Sequence, residues 1–397
     1  PTVTLSSNAT TIAEDGTAVI TATLDYASTI ETVVSFAASG TAVLDFDYAV
    51  NYTGKGAVTT FAGGNGYGSN ANQLNRPNQM AFDEYGNLYV NDEQNFRIQK
   101  FSPNSSSSTD GVTVAGGNGR GSGLNQLNVS EGSALDSDGN IYVSDQRNTR
   151  VLKFPSNSTS STNGTLVVSP LNDGVNNNEP FFEEIVLDKS GNIYLLERMG
   201  YRVRKITAGG DTQGMIFAGG NGEGSNANQF NSPRDIAIDQ SGNLYVADFQ
   251  NSRIQKFPSN SNSSTNGETM SFGTLAIYLP TAIATDTYNN LYFVQPYNND
   301  GIYKYYPSSN FTTKISTESQ ITGTDINNIV VDNSGNIYLS AGTNTSGNHS
   351  ILKITYGNKI TIPAGQTSAS VTITGVDDST DESDETIILT PSVSGAV

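Results

Sequence analysis

The chain contains no cysteine, no tryptophan and a single histidine, His349, in 397 residues. Without cysteine there is no disulfide framework and no thiolate metal site. One histidine falls short of the ligand count of a zinc centre. A Ser-His-Asp triad would have to pass through His349, and no nucleophile-elbow sequence accompanies it. Basic residues are also few, 20 against 38 acids, for a net charge of −18. Such a surface repels a phosphate backbone, which argues against nucleic acid as a partner. No apolar run reaches the length a bilayer requires, so membrane insertion is not expected. The opening Pro1-Thr2-Val3 lacks the basic and apolar regions of an export signal.

What is present is turn chemistry. Forty glycines and 13 prolines, with abundant Asn, Ser and Thr and almost no helix-forming run, predict an all-β chain of short strands. Charge divides the chain in two. Residues 1–54 and 358–397 together hold twelve acids (six and six) and one base, Lys359, a charge of −11. Residues 55–357 hold the other 26 acids and 19 bases, a charge of −7 over a far longer segment.

The longer segment repeats itself. Gly-Gly-Asn-Gly occurs at Gly63, Gly116 and Gly219, and about twenty residues after each stands Asp-x-x-Gly-Asn, at Asp83, Asp136 and Asp239. Weaker copies begin at Asp188, Asp286 and Asp332, making six units 46 to 53 residues apart. Each unit reads as four strands, with the Gly of Asp-x-x-Gly-Asn supplying a tight turn. Four short strands at this period predict a propeller blade. The sixth unit lacks a fourth strand while Val58 to Ala62 is unclaimed, so the two ends are expected to close one blade.

The pattern Asp-x-x-Gly-Asn-Leu/Ile-Tyr-Val-x-Asp-x-x-Asn-x-Arg-Ile resembles the NHL-repeat family, which implies a six-bladed β-propeller over residues 55–357. Outside it, Ala13-Glu14-Asp15-Gly16, Asp47-Tyr48 and the acidic run from Asp377 to Glu385 resemble one Calx-beta sandwich split into residues 1–54 and 358–397. That resemblance implies calcium, held by Glu14, Asp47, Asp377, Asp378, Asp381 and Glu382, because calcium takes six to eight oxygen ligands in irregular geometry. It also implies an extracellular or cell-surface setting in a larger bacterial protein. After Thr386 to Leu389 the sequence meets Pro391, which cannot donate to a ladder. The sandwich's closing strand is therefore expected beyond residue 397 or from a neighbouring chain, a route to homo-oligomers through strand addition.

Recurrence separates structure from function. The sets Asp92/Asn95/Arg97, Asp145/Asn148/Arg150 and Asp248/Asn251/Arg253 recur and are assigned to holding the blade. Positions that change are assigned to recognition. Five residues before each turn aspartate, at the expected mouth of the central channel, stand Asn78, Glu131, Glu183, Arg234, Thr281 and Asn327. Phe96, Arg198, Phe249 and Tyr297 are expected beside them as exposed anchors for a protein or glycan. With no histidine or cysteine chemistry, the expected function is a non-catalytic adhesion module. The alternatives are a filament subunit, or a calcium-dependent propeller lactonase or esterase using Glu131 and Glu183.

Overall fold

The computed structural model describes residues 3–9, 17–27, 32–40, 48–51, 57–169, 181–210, 212–296, 301–307, 310–315, 326–333, 335–342, 349–355, 359–362, 365–375 and 387–394. It is all-β. Among these residues there are seven four-stranded sheets, one three-stranded sheet, four short 3-10 turns and no α-helix.

Six of the four-stranded sheets form a closed cycle. Their innermost strands are Pro77–Phe82, Ser130–Leu135, Phe182–Leu187, Asp235–Ile238, Ala282–Thr285 and Ile326–Val331, each beside the next, with the last returning to the first. Within each sheet the chain moves outward by antiparallel hairpins, as from Pro77–Phe82 through Leu88–Asp92 and Arg97–Phe101 to Val112–Gly116. The sheet begun by Ile326–Val331 takes its outermost strand, Ala57–Gly63, from far upstream, paired with Ser350–Thr355. This removes the open edge that the last sheet would otherwise present.

Local chemistry explains the hairpins. In the first, Asp83 Oδ1 accepts from the backbone N–H of Tyr85 and Asn87, its Oδ2 accepts from Asn87 Nδ2, and Gly86 sits at φ +76°. At the opposite end Asp92 is fully buried. Its Oδ1 accepts from Asn75 N, and its Oδ2 accepts from Asn95 Nδ2 and from Arg97 Nε at 2.7 Å. Arg97 then bonds the carbonyls of Ser69, Asn70 and Gln73, tying the sheet to the strand entering it. Asp145/Asn148/Arg150 and Asp248/Asn251/Arg253 repeat the arrangement. The core lies between neighbouring sheets, as where Tyr194, Leu196 and Phe217 of the third pack on Ile236, Leu244 and Val246 of the fourth.

The remaining sheets join the two ends of the chain. Thr17–Leu24 lies between Val3–Ser7 and Ser368–Gly375, with Tyr48–Asn51 beyond, and Thr32–Gly40 lies between Lys359–Ile362 and Ile387–Ser394. The strand expected at Thr386 to Leu389 extends through Pro391, which pairs with Phe36, as Ile387–Ser394 at the edge of the three-stranded sheet. It is an edge strand, where a proline is tolerated.

Candidate functional site

The cycle surrounds a channel whose two ends differ. From Met80, Ile185, Ile236, Ile283 and Ile329 downward the wall is largely apolar, around a cavity of about 230 Å³. Toward the end bearing the Gly-Gly-Asn-Gly loops, the innermost strands lose regular pairing. Register slips between Pro77 and Met80, Ser130 and Ser133, Phe182 and Ile185, and Ile326 and Asn328. Such bulges re-aim side chains, here Asn78–Gln79, Glu131, Glu183–Glu184 and Asn327. Just before the strands, Arg76, Val129, Ser232 and Leu279 adopt left-handed φ of 56°, 56°, 51° and 47°. Non-glycine residues in that region carry strain, which concentrates at functional sites.

The mouth gathers carboxylates and arginines. Glu183 Oε1 accepts from Arg198 Nη1 at 3.1 Å, while Arg198 Nε and Nη2 donate to Ser232 Oγ at 3.1 and 3.0 Å. Glu131 accepts from Asn78 Nδ2 and feels Arg76, Arg198 and Arg147. Glu93, from the turn after the second strand, takes Arg76 Nη1 at 2.9 Å. Arg234 lies on the Phe249 ring, 4.1 Å from its centroid, and Arg147 on Phe181 at 5.6 Å. Burial pushes the Glu183 carboxyl up to about 7, against the pull of Arg198 and with a push from Glu131. Burial and the Glu131 charge bring Glu93 to about 7 as well. Burial also raises Glu131. Glu93 Oε2 and Glu183 Oε2 are buried acceptors with no protein donor among the described residues.

One layer deeper the channel is plugged. Gln79 reaches across two sheets, its Oε1 accepting from Ser133 N and its Nε2 donating to the Ile185 carbonyl at 3.2 Å. It passes over Gly132, where a Cβ would meet the Glu183 carbonyl at 2.7 Å and Gln79 Oε1 at 2.9 Å. Beside it Glu184 and Asp235 are buried. Asp235 accepts from the N–H of Ile236 and Ile283, and burial drives its carboxyl up to about 8. Burial, with the Asp235 charge adding to it, raises Glu184 as well. A carboxyl raised on folding stabilises the fold fully below its unfolded value near pH 4, and that contribution is lost as pH rises through its folded value. Stability is therefore expected to decline from about pH 4 to about pH 8. Glu184→Gln removes one charge from the pair, and should stabilise the protein by roughly 1–3 kcal/mol at pH 8.5 while changing little at pH 4. Thermal melts at the two pH values check this, and equal shifts at both would contradict it.

Several positions expected from the sequence meet here, while others do not. Asn78, Glu131, Glu183, Arg234 and Arg198 interact with one another at the mouth, while Asn327 donates to the carbonyls of Pro77 and Gly342. Phe249 is corrected: it is 5% exposed and serves as the platform under Arg234 rather than as an exposed anchor. Phe96 is corrected likewise. It is half-buried against the core of Ile98, Val114 and Leu127, in a left-handed cap at φ 54°. Tyr297 and the calcium candidates Glu14, Asp47, Asp377, Asp378, Asp381 and Glu382 lie outside the described residues. The far face is not bare of anchors as expected, since Tyr85 and Tyr288 in its turns are 75% and 44% exposed. His349 is structural, buried with Nδ1 accepting from Arg76 N at 2.8 Å. Sequence reasoning missed Arg76, Glu93 and the whole Gln79/Glu184/Asp235/Asn328 layer. The signal for that layer was available: polar residues four before the turn aspartate, where an innermost strand should be apolar.

Residues 230–257 match the NHL repeat, and no curated protein sequence matches the chain. Among solved structures, a gluconolactonase from Xanthomonas campestris covers 78% of this chain and 94% of its own, at 13% identity and a TM-score of 0.52. A putative gluconolactonase covers 82% and 96%, at 11% identity and a TM-score of 0.50. The fold is a β-propeller with one segment, residues 230–257, that matches the NHL repeat. At these identities the likeness concerns the fold. A virginiamycin B lyase from Staphylococcus aureus lies further off, at 13% identity, coverage of 83% and 99%, and a TM-score of 0.48. The expectation of a non-catalytic propeller is corrected by the two gluconolactonase structures, which bear the names of enzymes, so scarcity of histidine and cysteine does not exclude catalysis from a ring of this fold.

Proposed function

We propose that the chain is a propeller hydrolase that opens lactones at the channel mouth. The reading treats the closed cycle as a six-bladed ring, residues 55–357, carried within a Calx-beta sandwich of residues 1–54 and 358–397. The observation that carries it is the carboxyl of Glu183, raised by burial to about 7 beside Arg198 and Glu131 on the side of the ring that bears the Gly-Gly-Asn-Gly loops. A general base is most effective when its pKa lies near the working pH. The ionised Glu183 takes a proton from water as the water oxygen adds to the lactone carbonyl. Charge then develops on the carbonyl oxygen, where arginines in a poorly solvated site are most effective. The ring C–O bond breaks and its oxygen receives a proton from Glu93, whose carboxyl burial raises to about 7, giving a hydroxy acid. The names of the two gluconolactonase neighbours support this reaction class over adhesion.

A calcium ion at the mouth is not part of this scheme. Among the described residues no three His, Cys, Asp or Glu side chains gather as a metal set, and Glu93, Glu131 and Glu183 are each engaged by Arg or Asn side chains. The test of function is hydrolysis of five- and six-membered lactones followed by proton release across pH 5 to 9. Turnover rising through about pH 7 supports the reading, and no turnover on any lactone overturns it.

The acids of the sandwich carry a separate proposal. Calcium bound at Glu14, Asp47, Asp377, Asp378, Asp381 and Glu382 would relieve their repulsion, since an ion that binds only the folded state stabilises it. Calcium at a hundredfold excess over its dissociation constant should then add about 2.7 kcal/mol to that unit. Calorimetry with and without chelator checks this, and coincident transitions would refute it.

A further inference from the structure

We infer that Ser232 donates its hydroxyl hydrogen to the carbonyl oxygen of the lactone as that oxygen becomes charged, with Arg198 held behind it. This rests on the hydrolase reading and adds a catalytic residue to it. Lone pairs decide where the hydrogen goes. A serine hydroxyl offers two acceptor lone pairs and one hydrogen. Arg198 Nε and Nη2 both donate to Ser232 Oγ, at 3.1 and 3.0 Å, which fills the acceptor side. The hydrogen is therefore turned away from the guanidinium, and among the described residues no acceptor receives it. Ser232 is half-buried rather than sealed, so the hydrogen is available to a ligand.

Position and polarity both suit an oxyanion. The same guanidinium reaches Glu183 Oε1 through Nη1 at 3.1 Å, so the general base and the hydroxyl stand at different edges of one rigid plane. Donors that carry a positive charge draw electron density from Oγ and make its O–H a stronger donor in turn. A donor fixed in advance is most effective where charge develops in a poorly solvated site. The structural repeat does not require a hydroxyl here. Ser232 stands seven residues before its turn aspartate at φ 51°, and the first, second and fifth sheets have Arg76, Val129 and Leu279 there, at φ 56°, 56° and 47°. Valine and leucine hold the same left-handed backbone without a polar group. The serine side chain is thus not explained by the fold.

The test has a kinetic and a binding arm. On a lactone that the wild type opens, Ser232→Ala is expected to lower kcat roughly 10²- to 10³-fold with KM changed far less. Ser232→Thr, which keeps the hydroxyl, should recover much of the loss. Val129 shows that this backbone accepts a β-branched residue, and circular dichroism is expected to show both variants folded. The rising limb near pH 7 should stay in place in Ser232→Ala, because Arg198 keeps its bond to Glu183. In the binding arm, a six-membered cyclic phosphonate, whose anionic oxygen mimics the tetrahedral intermediate, and δ-valerolactam, with its neutral carbonyl, are titrated calorimetrically. The phosphonate should bind the wild type at least about tenfold more tightly than the lactam, and Ser232→Ala should abolish that preference. Where a lactone is turned over, the kinetic arm decides. A kcat loss below about tenfold overturns the inference and leaves the hydrolase reading standing. So does a loss accompanied by an upward shift of the limb, which would make Ser232 a support for Arg198. A burst of product matching the enzyme present would make Ser232 a nucleophile and overturn the inference likewise. Where no lactone is opened, the hydrolase reading falls and the binding arm decides. A phosphonate preference that is lost in Ser232→Ala keeps the donor, and no preference, or one unchanged in the variant, removes it.

Discussion

Glu183→Gln is expected to lower lactone turnover by roughly 10²- to 10⁴-fold, the range associated with loss of a positioned general base. Glutamine keeps the shape and can still accept from Arg198 Nη1, the bond that Glu183 makes at 3.1 Å. It cannot take a proton from water. The loss should therefore appear mainly in kcat, with KM changed far less, because the substrate's groups are held elsewhere around the mouth. The pH profile gives an independent check. Burial holds Glu183 up at about 7, so the active, ionised form is lost as pH falls through that value. Arg198 opposes the shift, and Arg198→Gln should move the rising limb to higher pH. Groups facing Glu183 include Glu131, Arg198 and Arg234, so the midpoint belongs to the cluster rather than to one residue alone. A Glu183→Gln variant that retains most of the wild-type kcat, or a rising limb that stays at the same pH in Arg198→Gln, would show that Glu183 is not the base.

The largest stability effect is expected in the third sheet. There the buried aspartate of the repeat is replaced by Glu197, and the structure supplies the reason. Glu197 holds two arginines: Oε2 accepts from Arg202 Nε at 2.5 Å, and Oε1 pairs with Arg204 Nε. Arg204 is fully buried, lies 5.4 Å from the Phe182 ring centroid and donates to the Gln213 carbonyl. The equivalent position is Gln99, Leu152 or Gln255 in the first, second and fourth sheets, where the shorter aspartate serves one arginine. Glu197→Ala would leave the Arg204 charge in a dry interior without its partner, at a cost of about 3–5 kcal/mol. In thermal melts this is a fall of roughly 5–8 °C. The double change Glu197→Asp with Arg204→Gln restores the pattern of the other sheets and should recover most of the loss. A cost below about 1 kcal/mol for Glu197→Ala, or no recovery in the double variant, would contradict this account.

The two cases show why some residues were legible in the sequence and others were not. Asp92, Asn95 and Arg97 announced their role because three sheets repeat it and because their partners lie within about thirty residues. Asp83 and Gly86 did so because a tight turn has few chemical solutions. The closure by Ala57–Gly63 was also legible, since an outermost strand was missing at one end and surplus at the other. Phe96 and Phe249 were misread for the complementary reason. A loop position exposes a backbone, but the left-handed caps at Phe96 and Ser252 turn the chain back, and neighbouring side chains cover both rings.

By itself, then, the sequence determined what is local and periodic: an all-β chain, its repeated hairpins, the propeller and the split of charge between two kinds of segment. Periodicity of two along a strand and positive φ in a turn are properties of a few consecutive residues, and no distant contact is needed to impose them. Only the tertiary structure decided which carboxyls share a site and which of them burial raises above the ordinary carboxylate range. Glu93, Glu131 and Glu183 come from three places in the chain, and all three are raised by burial once the ring has closed, with the Glu131 charge adding to the shift of Glu93 and Glu183. The same closure turned a chain with an excess of acids into a mouth ringed by Arg76, Arg147, Arg198 and Arg234. Net charge is a sum over the whole chain, whereas a ligand feels only the charges that folding brings within a Debye length of it.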